Sequence, residues 1–220
     1  MPPITKLMHI FDVDHTITKG STGRHYINMA INLKVLPRSV LLSIPLVYLR
    51  YRLGRLSSAQ INRDFPLLVG MKRDLLENVA IETFKQRIKP DIFPMALSYI
   101  RNLVQNGEEV AIATSSVDII VKPLTEFLGI KKVISSSIEF IDGYCTGKFI
   151  NAPAFSQEKK VEVLKFLEDE GIKASDCAFY SDSIYDLPLL EAVGRPVPTN
   201  PDYLLTRHAR RMGWEILTFA

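Results

Sequence analysis

Short apolar runs that stop abruptly at polar residues recur along this chain. Residues 7–11 are mostly apolar, and similar runs at 110–113, 133–134 and 177–180 follow later. Runs of this length predict buried strands. Because these strands alternate with helical patterns from residue 90 onward, the sequence predicts an α/β fold with a doubly wound, Rossmann-like parallel sheet. The helical patterns lie at 94–105, 117–128 and 157–169.

Between the first and second predicted strands the pattern is helical throughout. The apolar spacing predicts helices near 22–34, 38–53, 58–69 and 72–88, with breaks at Pro37, Gly54 and Gly70. We therefore expect a catalytic core made of residues 1–20 and 90–220. Residues 21–89 would form a helical cap domain inserted after the first strand.

The second half of the chain carries two further local patterns. Two short strand patterns, 138–141 and 144–150, flank Asp142-Gly143, a dipeptide that favours a tight hairpin turn. Asn200-Pro201 predicts the N-cap and first turn of a last helix that Gly213 ends. The apolar residues of 214–219 then predict a closing strand.

Composition narrows the class of protein. With 220 residues, 47% of them hydrophobic, the chain can bury one good core plus a smaller appended unit. A net charge of +3 is too small to predict a nucleic-acid partner. The two cysteines, Cys145 and Cys177, form no pattern typical of a disulfide framework or a zinc site. The first residues lack the apolar core of a signal peptide, so we expect a cytoplasmic protein.

The most apolar part of the predicted cap, residues 39–49, raises the question of a membrane. It is about half the length that a bilayer span needs and contains Pro45, so a transmembrane helix is not expected. A buried helix of the cap is the favoured interpretation. An interfacial helix that meets lipid is the alternative.

Candidate chemistry lies at the ends of the predicted strands. In an extended chain alternate side chains share a face, so Asp12, Asp14 and Thr16 can project together. The carboxyl ends of parallel strands meet at one edge of a sheet, which should bring these residues close to Thr114, Asp182 and Asp186. Crowded carboxylates repel unless a cation lies among them, and oxygen ligands suit Mg²⁺. The sequence therefore predicts a Mg²⁺ site.

A lysine would complete a site for a phosphate dianion. The helix predicted over 157–169 offers Lys159 and Lys160. Lys160 is in line with Leu164 and Leu167 at i+4 and i+7, so we expect Lys160 to face the sheet and Lys159 to lie toward the edge of that stripe.

These residues together resemble the motifs of the haloacid-dehalogenase-like phosphohydrolases. The family's Asp-x-Asp-x-Thr motif is matched by residues 12–16, its strand-closing Ser or Thr by Thr114, its lysine by Lys160 and its Asp-x-x-x-Asp by Asp182 and Asp186. The helical insertion and residues 181–188 and 200–202 are similar to subfamily IB, in its phosphoserine-phosphatase-like branch. The resemblance implies a Mg²⁺-dependent phosphatase that acts on a small phosphomonoester.

Each matched residue then has an expected role. Asp12 would be the nucleophile, forming an acyl phosphate, and Asp14 the general acid and base. Mg²⁺ would be held by the Asp12 carboxylate, the Asp14 backbone carbonyl and Asp182, with Asp186 orienting these ligands. Thr114 and Lys160 would bind the phosphoryl oxygens.

Substrate contacts are expected from the start of the cap and the loops beside the strands. Phosphoserine phosphatases carry a glutamate that binds the substrate's amino group, and counting residues puts Ser21 at that place, so phosphoserine should be a poor substrate. Ser115 and Ser116 could donate to phosphate or cap the next helix. The other expected contacts are Thr16, Arg24, His25 and Arg63.

Two other classes of protein share part of this pattern. A phospho-acceptor module of the response-regulator type also joins an aspartate, Mg²⁺, a hydroxyl and a lysine, but such domains are about half this length and lack a helical insertion. A non-catalytic protein that binds lipid surfaces through residues 39–49 would not need the full set of acids. An enzyme is the favoured interpretation, with its substrate and oligomeric state left open.

Overall fold

A parallel sheet organises the computed structural model, which describes residues 7–40, 68–151 and 155–219. Its five strands lie in the order β3-β2-β1-β6-β7, and all neighbours are parallel. This confirms the predicted fold class. The strands are β1 (Met8–Phe11), β2 (Glu109–Val117), β3 (Lys132–Ser136), β6 (Cys177–Ser181) and β7 (Arg195–Pro198).

The position of β1 at the centre of the sheet explains why the first strand of the sequence is mostly apolar. Each of its four residues is buried, because β2 and β6 flank it and helices cover both faces of the sheet. Met8 and Ile10 pack into one hydrophobic cluster and Phe11 into the cluster on the opposite face. The two-residue alternation thus supplies one core layer above the sheet and one below it.

Helices of the predicted lengths form those two layers. On one face lie α4 (Pro94–Gln105) and α5 (Asp118–Leu128), and on the other α6 (Gln157–Asp169), α7 (Leu187–Leu190) and α8 (Tyr203–Met212). The predicted helix over 157–169 is confirmed at both ends. Gly129 and Gly213 end α5 and α8 with positive φ, as expected for left-handed C-terminal residues.

The predicted insertion is helical where the structure describes it. It contains α1 (Thr22–Asn32) and α2 (Arg73–Thr83), and α2 continues through a π-helical turn, Phe84–Ile88, into α3 (Lys89–Asp91). Buried residues of both helices, among them Met29 and Val79, belong to the same hydrophobic cluster as Phe11 of the sheet. The predicted helix over 58–69 and most of that over 38–53 lie outside the described residues, so the domain boundaries stay a prediction.

The predicted hairpin is confirmed as β4 (Ile138–Ile141) and β5 (Tyr144–Phe149). Asp142 and Gly143 both have positive φ, which is the geometry of the favoured two-residue hairpin turn. The hairpin also binds the insertion: the amide of Cys145 donates to the carbonyl of Met71, and the amide of Arg73 donates to the carbonyl of Gly143.

The end of the chain differs from the prediction. Residues 214–219 do not form a strand of the sheet but make one isolated bridge, Thr199 to Leu217, beside the end of β7. Pro196 and Pro198 of β7 have no amide hydrogen, so this sheet edge cannot support a full ladder. The strand β7 itself was not predicted.

The start of the last helix also requires a correction. Asp202, not Asn200, is the N-cap of α8, and its Oδ1 accepts from the amide of Leu205 at 2.8 Å. Asn200 has a positive φ of 48° and lies outside the helix. Its side chain instead binds the loop that follows β1, which explains why it cannot cap α8.

None of the helices in the described part of the chain is long and apolar enough to cross a membrane. Most of the apolar segment 39–49 lies outside the described residues.

One prediction from the sheet concerns His9, whose Nδ1 lies 2.8 Å from the hydroxyl of Tyr180. Burial lowers the pKa of His9, with a further lowering by Arg195, while Glu108 opposes the change. The folded state therefore holds His9 neutral. Below about pH 6.5 the unfolded chain takes up this proton first, so the contribution of His9 to the free energy of unfolding falls with falling pH.

We expect His9→Phe to flatten that fall, measured as the free energy of urea unfolding across about pH 7.5 to 5.5. His15→Asn is the control, because His15 is exposed and its positive φ of 61° suits asparagine. An unchanged slope in His9→Phe would contradict the assignment.

Candidate active site

The first acid of the site directly follows the central strand. Asp12 continues the ladder of β1, its amide donating to the carbonyl of Tyr180 at 2.9 Å. Its side chain is buried, and its two oxygens have different partners: Oδ1 accepts from Lys159 Nζ at 2.9 Å, and Oδ2 lies 3.3 Å from the hydroxyl of Thr16. The carboxylate is therefore held at the carboxyl edge of the sheet.

Lys159, not Lys160, enters this site. Lys159 is 3% exposed and places its Nζ 2.9 Å from Asp12 and 2.8 Å from Asp186. The sheet-facing stripe of α6 is Lys159, Val163 and Leu167, at i, i+4 and i+8. The prediction that Lys160 faces the sheet was wrong, because it centred the sheet-facing stripe on Leu164, which is only half-buried. Lys160 is therefore rotated away from Asp12.

The loop after β6 supplies two more carboxylates. Asp186 is buried and accepts from Lys159 and from the hydroxyl of Ser181, the latter at 2.7 Å. Asp182 is half-buried, and its Oδ1 lies 3.4 Å from the Thr16 hydroxyl. As predicted from the strand ends, the acids after β1 and β6 meet at one edge of the sheet.

Thr16 joins the two loops rather than facing a substrate. It is fully buried, and its Oγ1 accepts from the amide of Asp182 at 3.0 Å while lying within reach of the Asp12 and Asp182 carboxylates. The Thr16 hydroxyl therefore links the loops that carry Asp12 and Asp182, and its contact with substrate stays a prediction.

The Asp14 carboxyl is bonded to the start of α1 and is near enough to Asp12 to add to the rise in the pKa of Asp12 that burial causes. β1 ends at Phe11, and the following loop turns the Asp14 side chain toward α1. Its Oδ1 accepts from the amide of Thr22 at 2.9 Å and from the hydroxyl of Thr22 at 2.7 Å. The second oxygen of this half-buried carboxylate has no such partner among the described residues.

Three hydroxyl residues lie in the last part of β2, and the Ser116 hydroxyl is 2.6 Å from that of Thr22. Thr114 is buried, and its Oγ1 accepts from the amide of Ser116 at 3.1 Å, which leaves its own proton free to be donated. Ser115 is exposed and does not cap α5, because the N-cap position belongs to Val117. The capping alternative for Ser115 is therefore wrong, and its contact with phosphate stays a prediction.

The residues expected from the cap have varied surroundings. Ser21 is the N-cap of α1, and its hydroxyl accepts from the amide of Arg24 at 3.4 Å, while the Arg24 side chain is exposed. His25 places Nε2 3.1 Å from Asp91, which also accepts from the amide of Gly20. Arg63 lies outside the described residues.

Burial and mutual repulsion set the charge state of the acids. Burial raises the pKa of Asp12 to about 6, although Lys159 opposes the change. Burial, with Asp12 and Asp186, raises the pKa of Asp182 to about 8. Burial would lower the pKa of Lys159, but the two carboxylates beside it outweigh that effect and raise its pKa above its ordinary value.

This charge balance fits a divalent cation. Asp12, Asp182 and Asp186 carry three negative charges when ionised, and Lys159 supplies one positive charge. No group of three acidic, histidine or cysteine side chains that could hold a metal ion occurs in the described ranges. Mg²⁺ needs fewer protein side chains than that, because it keeps several waters, so Asp12 and Asp182 with the carbonyl of Asp14 fit it.

Sequence analysis did not assign to the site two residues, Asn200 and Asp202, whose side chains bond to its loops. Asn200 Nδ2 donates toward the carbonyls of His15 and Thr16, at 3.2 and 3.4 Å. Asp202 accepts from the amide of Ile184 at 2.9 Å. Both hold the loops that carry the acids, and their resemblance to subfamily IB was the only signal for them in the sequence.

Comparison with known proteins decides the family. The family model for haloacid dehalogenase-like hydrolase matches residues 10–191, which include Asp12, Asp14, Asp182 and Asp186. The chain belongs to this family. The acids of its first and last motifs lie at the carboxyl edge of the sheet, whereas the lysine that meets them is Lys159 rather than Lys160.

Relatives and a solved structure agree with that assignment. A histidinol-phosphatase from Neisseria meningitidis is 32% identical over 70% of this chain and 71% of its own length. The phosphoserine phosphatase SerB1 of Mycobacterium tuberculosis is 28% identical over 95% and 70%. A Bordetella pertussis protein of unknown function superimposes with a TM-score of 0.85 at 25% identity, covering 97% of this chain and 98% of its own. This family member is a phosphoric monoester hydrolase.

The first prediction from the site separates the two lysines. Lys159→Ala leaves buried carboxylates without their cation, so we expect it to lower the free energy of unfolding by about 3 kcal/mol. Lys160→Ala should change it by less than about 0.5 kcal/mol, as is usual away from buried features. Urea unfolding without added Mg²⁺ measures both. Equal effects of the two substitutions would contradict the geometry.

Proposed function

We propose that this protein is a Mg²⁺-dependent phosphatase that hydrolyses a small organic phosphomonoester through a phosphoaspartyl intermediate on Asp12. The observation that carries the proposal is the buried Asp12 carboxylate, held by Lys159 on one oxygen and by Thr16 near the other. A carboxylate fixed in this way at the carboxyl edge of the sheet is placed to act as a nucleophile.

The reaction would run in two half-reactions. An oxygen of Asp12 forms a bond to phosphorus while the ester P–O bond breaks, and Asp14 gives its proton to the leaving oxygen. Asp14 then takes a proton from the water that attacks the phosphoaspartyl group, which releases inorganic phosphate and restores Asp12. Bound Mg²⁺ would offset the negative charge of the phosphoryl group.

Lys159 and Thr114 would bind the phosphoryl oxygens. Lys159 already compensates Asp12 and Asp186, and its position supports a further contact with a phosphoryl group on Asp12. Thr114 has its Oγ1 engaged as an acceptor, so the remaining hydroxyl hydrogen is available for phosphate. Ser115 is exposed beside it and would contribute a second hydroxyl.

The test of this mechanism is Asp12→Asn. The amide is a poor nucleophile and carries no negative charge for a metal, so we expect turnover of p-nitrophenyl phosphate at saturating Mg²⁺ to fall by several orders of magnitude. Asp169→Asn is the control, since Asp169 is exposed at the end of α6. Near-normal turnover by Asp12→Asn would refute the mechanism.

For the substrate, we propose a small phosphomonoester other than phosphoserine, with histidinol phosphate as the first compound to test. The 32% identical relative named as a histidinol-phosphatase supports that choice. The neutral side chain of Ser21 supports the exclusion of phosphoserine, because its hydroxyl caps α1 and offers no charge for an ammonium group. An alternative is phosphoserine itself, which the name of the 28% identical relative favours.

Substitution of Ser21 decides between these substrates. We expect wild-type kcat/KM to be lower for L-phosphoserine than for L-histidinol phosphate, and Ser21→Glu to raise it for phosphoserine by about tenfold, or 1.4 kcal/mol. Ser21→Gln, which has the same size without the charge, should leave it unchanged. If phosphoserine leads the wild-type panel by tenfold or more, Ser21 does not discriminate.

A further inference from the structure

One residue of the insertion touches the proposed general acid directly. Thr22 is the first residue of α1 and is fully buried. Its amide and its hydroxyl both donate to the same oxygen, Oδ1 of Asp14, at 2.9 and 2.7 Å. The amides of a helix's first turn have no partner within the helix, so Asp14 satisfies one of them. The start of the insertion and the Asp14 carboxyl are thus bonded together.

The direction of the hydroxyl bonds follows from their acceptors. Thr22 Oγ1 lies 2.7 Å from Asp14 Oδ1 and 2.6 Å from Ser116 Oγ. A hydroxyl donates one proton, and the carboxylate oxygen is the stronger acceptor, so Thr22 donates to Asp14 and Ser116 donates to Thr22. The Ser116 amide donates in turn to Thr114 Oγ1. A continuous set of hydrogen bonds therefore joins the end of β2 to Asp14.

We propose that Thr22 is a positioning residue that makes Oδ2 the proton-carrying atom of Asp14. This inference rests on the proposed function, in which Asp14 is the general acid and base. Two donors occupy Oδ1, so a proton on the carboxyl group is placed on Oδ2. Oδ2 gives this proton to the leaving oxygen and takes one back from the attacking water, and the carboxyl group need not rotate between the two half-reactions.

The predicted experiment uses two leaving groups. Thr22→Val removes the hydroxyl and keeps the shape and the amide donor. We expect it to lower kcat/KM by about 10- to 100-fold for an alkyl ester such as glycerol 2-phosphate, whose leaving oxygen needs the proton. For p-nitrophenyl phosphate, whose leaving group needs little help, the loss should be less than about threefold. Thr22→Ser restores the hydroxyl and should recover most of the alkyl-ester activity.

A matched control and a second variant distinguish the loss of the bond to Asp14 from a general disturbance of the fold. Thr83→Val also removes a buried hydroxyl, one that binds only the carbonyl of Val79, and should leave both substrates unaffected. Ser116→Ala removes the donor to Thr22 and should reduce alkyl-ester turnover in the same direction but less. It tests the inference even if Thr22→Val does not fold.

The outcomes separate this inference from the proposed function. Equal losses for both esters in Thr22→Val, no recovery in Thr22→Ser, or no effect of Ser116→Ala on either ester would overturn the role of Thr22. Asp14→Asn tests the function beneath it. If Asp14→Asn spares the aryl ester and Thr22→Val spares both, only the Thr22 inference fails. If Asp14→Asn lowers kcat/KM equally for both esters, Asp14 is not the general acid and the proposed mechanism fails.

Discussion

A buried ammonium between two carboxylates is the interaction on which the site depends. Lys159 reaches Asp12 at the end of β1 and Asp186 after β6, so one side chain joins two strands of the sheet and a helix that packs on it. Without that positive charge, the cost of burying both acids would favour their neutral forms. The nucleophile proposed for this family member would then lose its charge.

The hydroxyl residues around the acids perform a related task at lower cost. Thr16 accepts from the amide of Asp182, Ser181 donates to Asp186, and Thr22 donates to Asp14. A buried carboxylate that accepts several hydrogen bonds keeps one orientation. The orientation of these carboxylates therefore depends on residues in the loops after β1 and β6 and in the first turn of α1, and not on the sheet alone.

Sequence reasoning recovered the features that depend on local pattern. The buried strand β1, the helix α6 and the Asp142-Gly143 hairpin follow from apolar period and turn chemistry, which short stretches of sequence contain. Sequence reasoning failed for features that are determined by tertiary contacts. The side of α6 that faces the sheet depends on packing among several apolar residues, and the bonds of Asp14 to Thr22 join residues on different elements. The sequence predicted that Asn200 caps the last helix, but its positive φ and its hydrogen bond to the carbonyl of His15 place it outside that helix.

The central position of β1 has a consequence for how the chain reaches its native state. Met8 pairs with Glu109 on one side and with Cys177 on the other, so the strand before Asp12 has no neighbour close to it in the sequence. Pairings of such long separation are slow to form, and an apolar strand that waits for them is exposed to association with other chains. During synthesis, this strand emerges well before either partner, so its apolar side chains stay unpaired until both have been made.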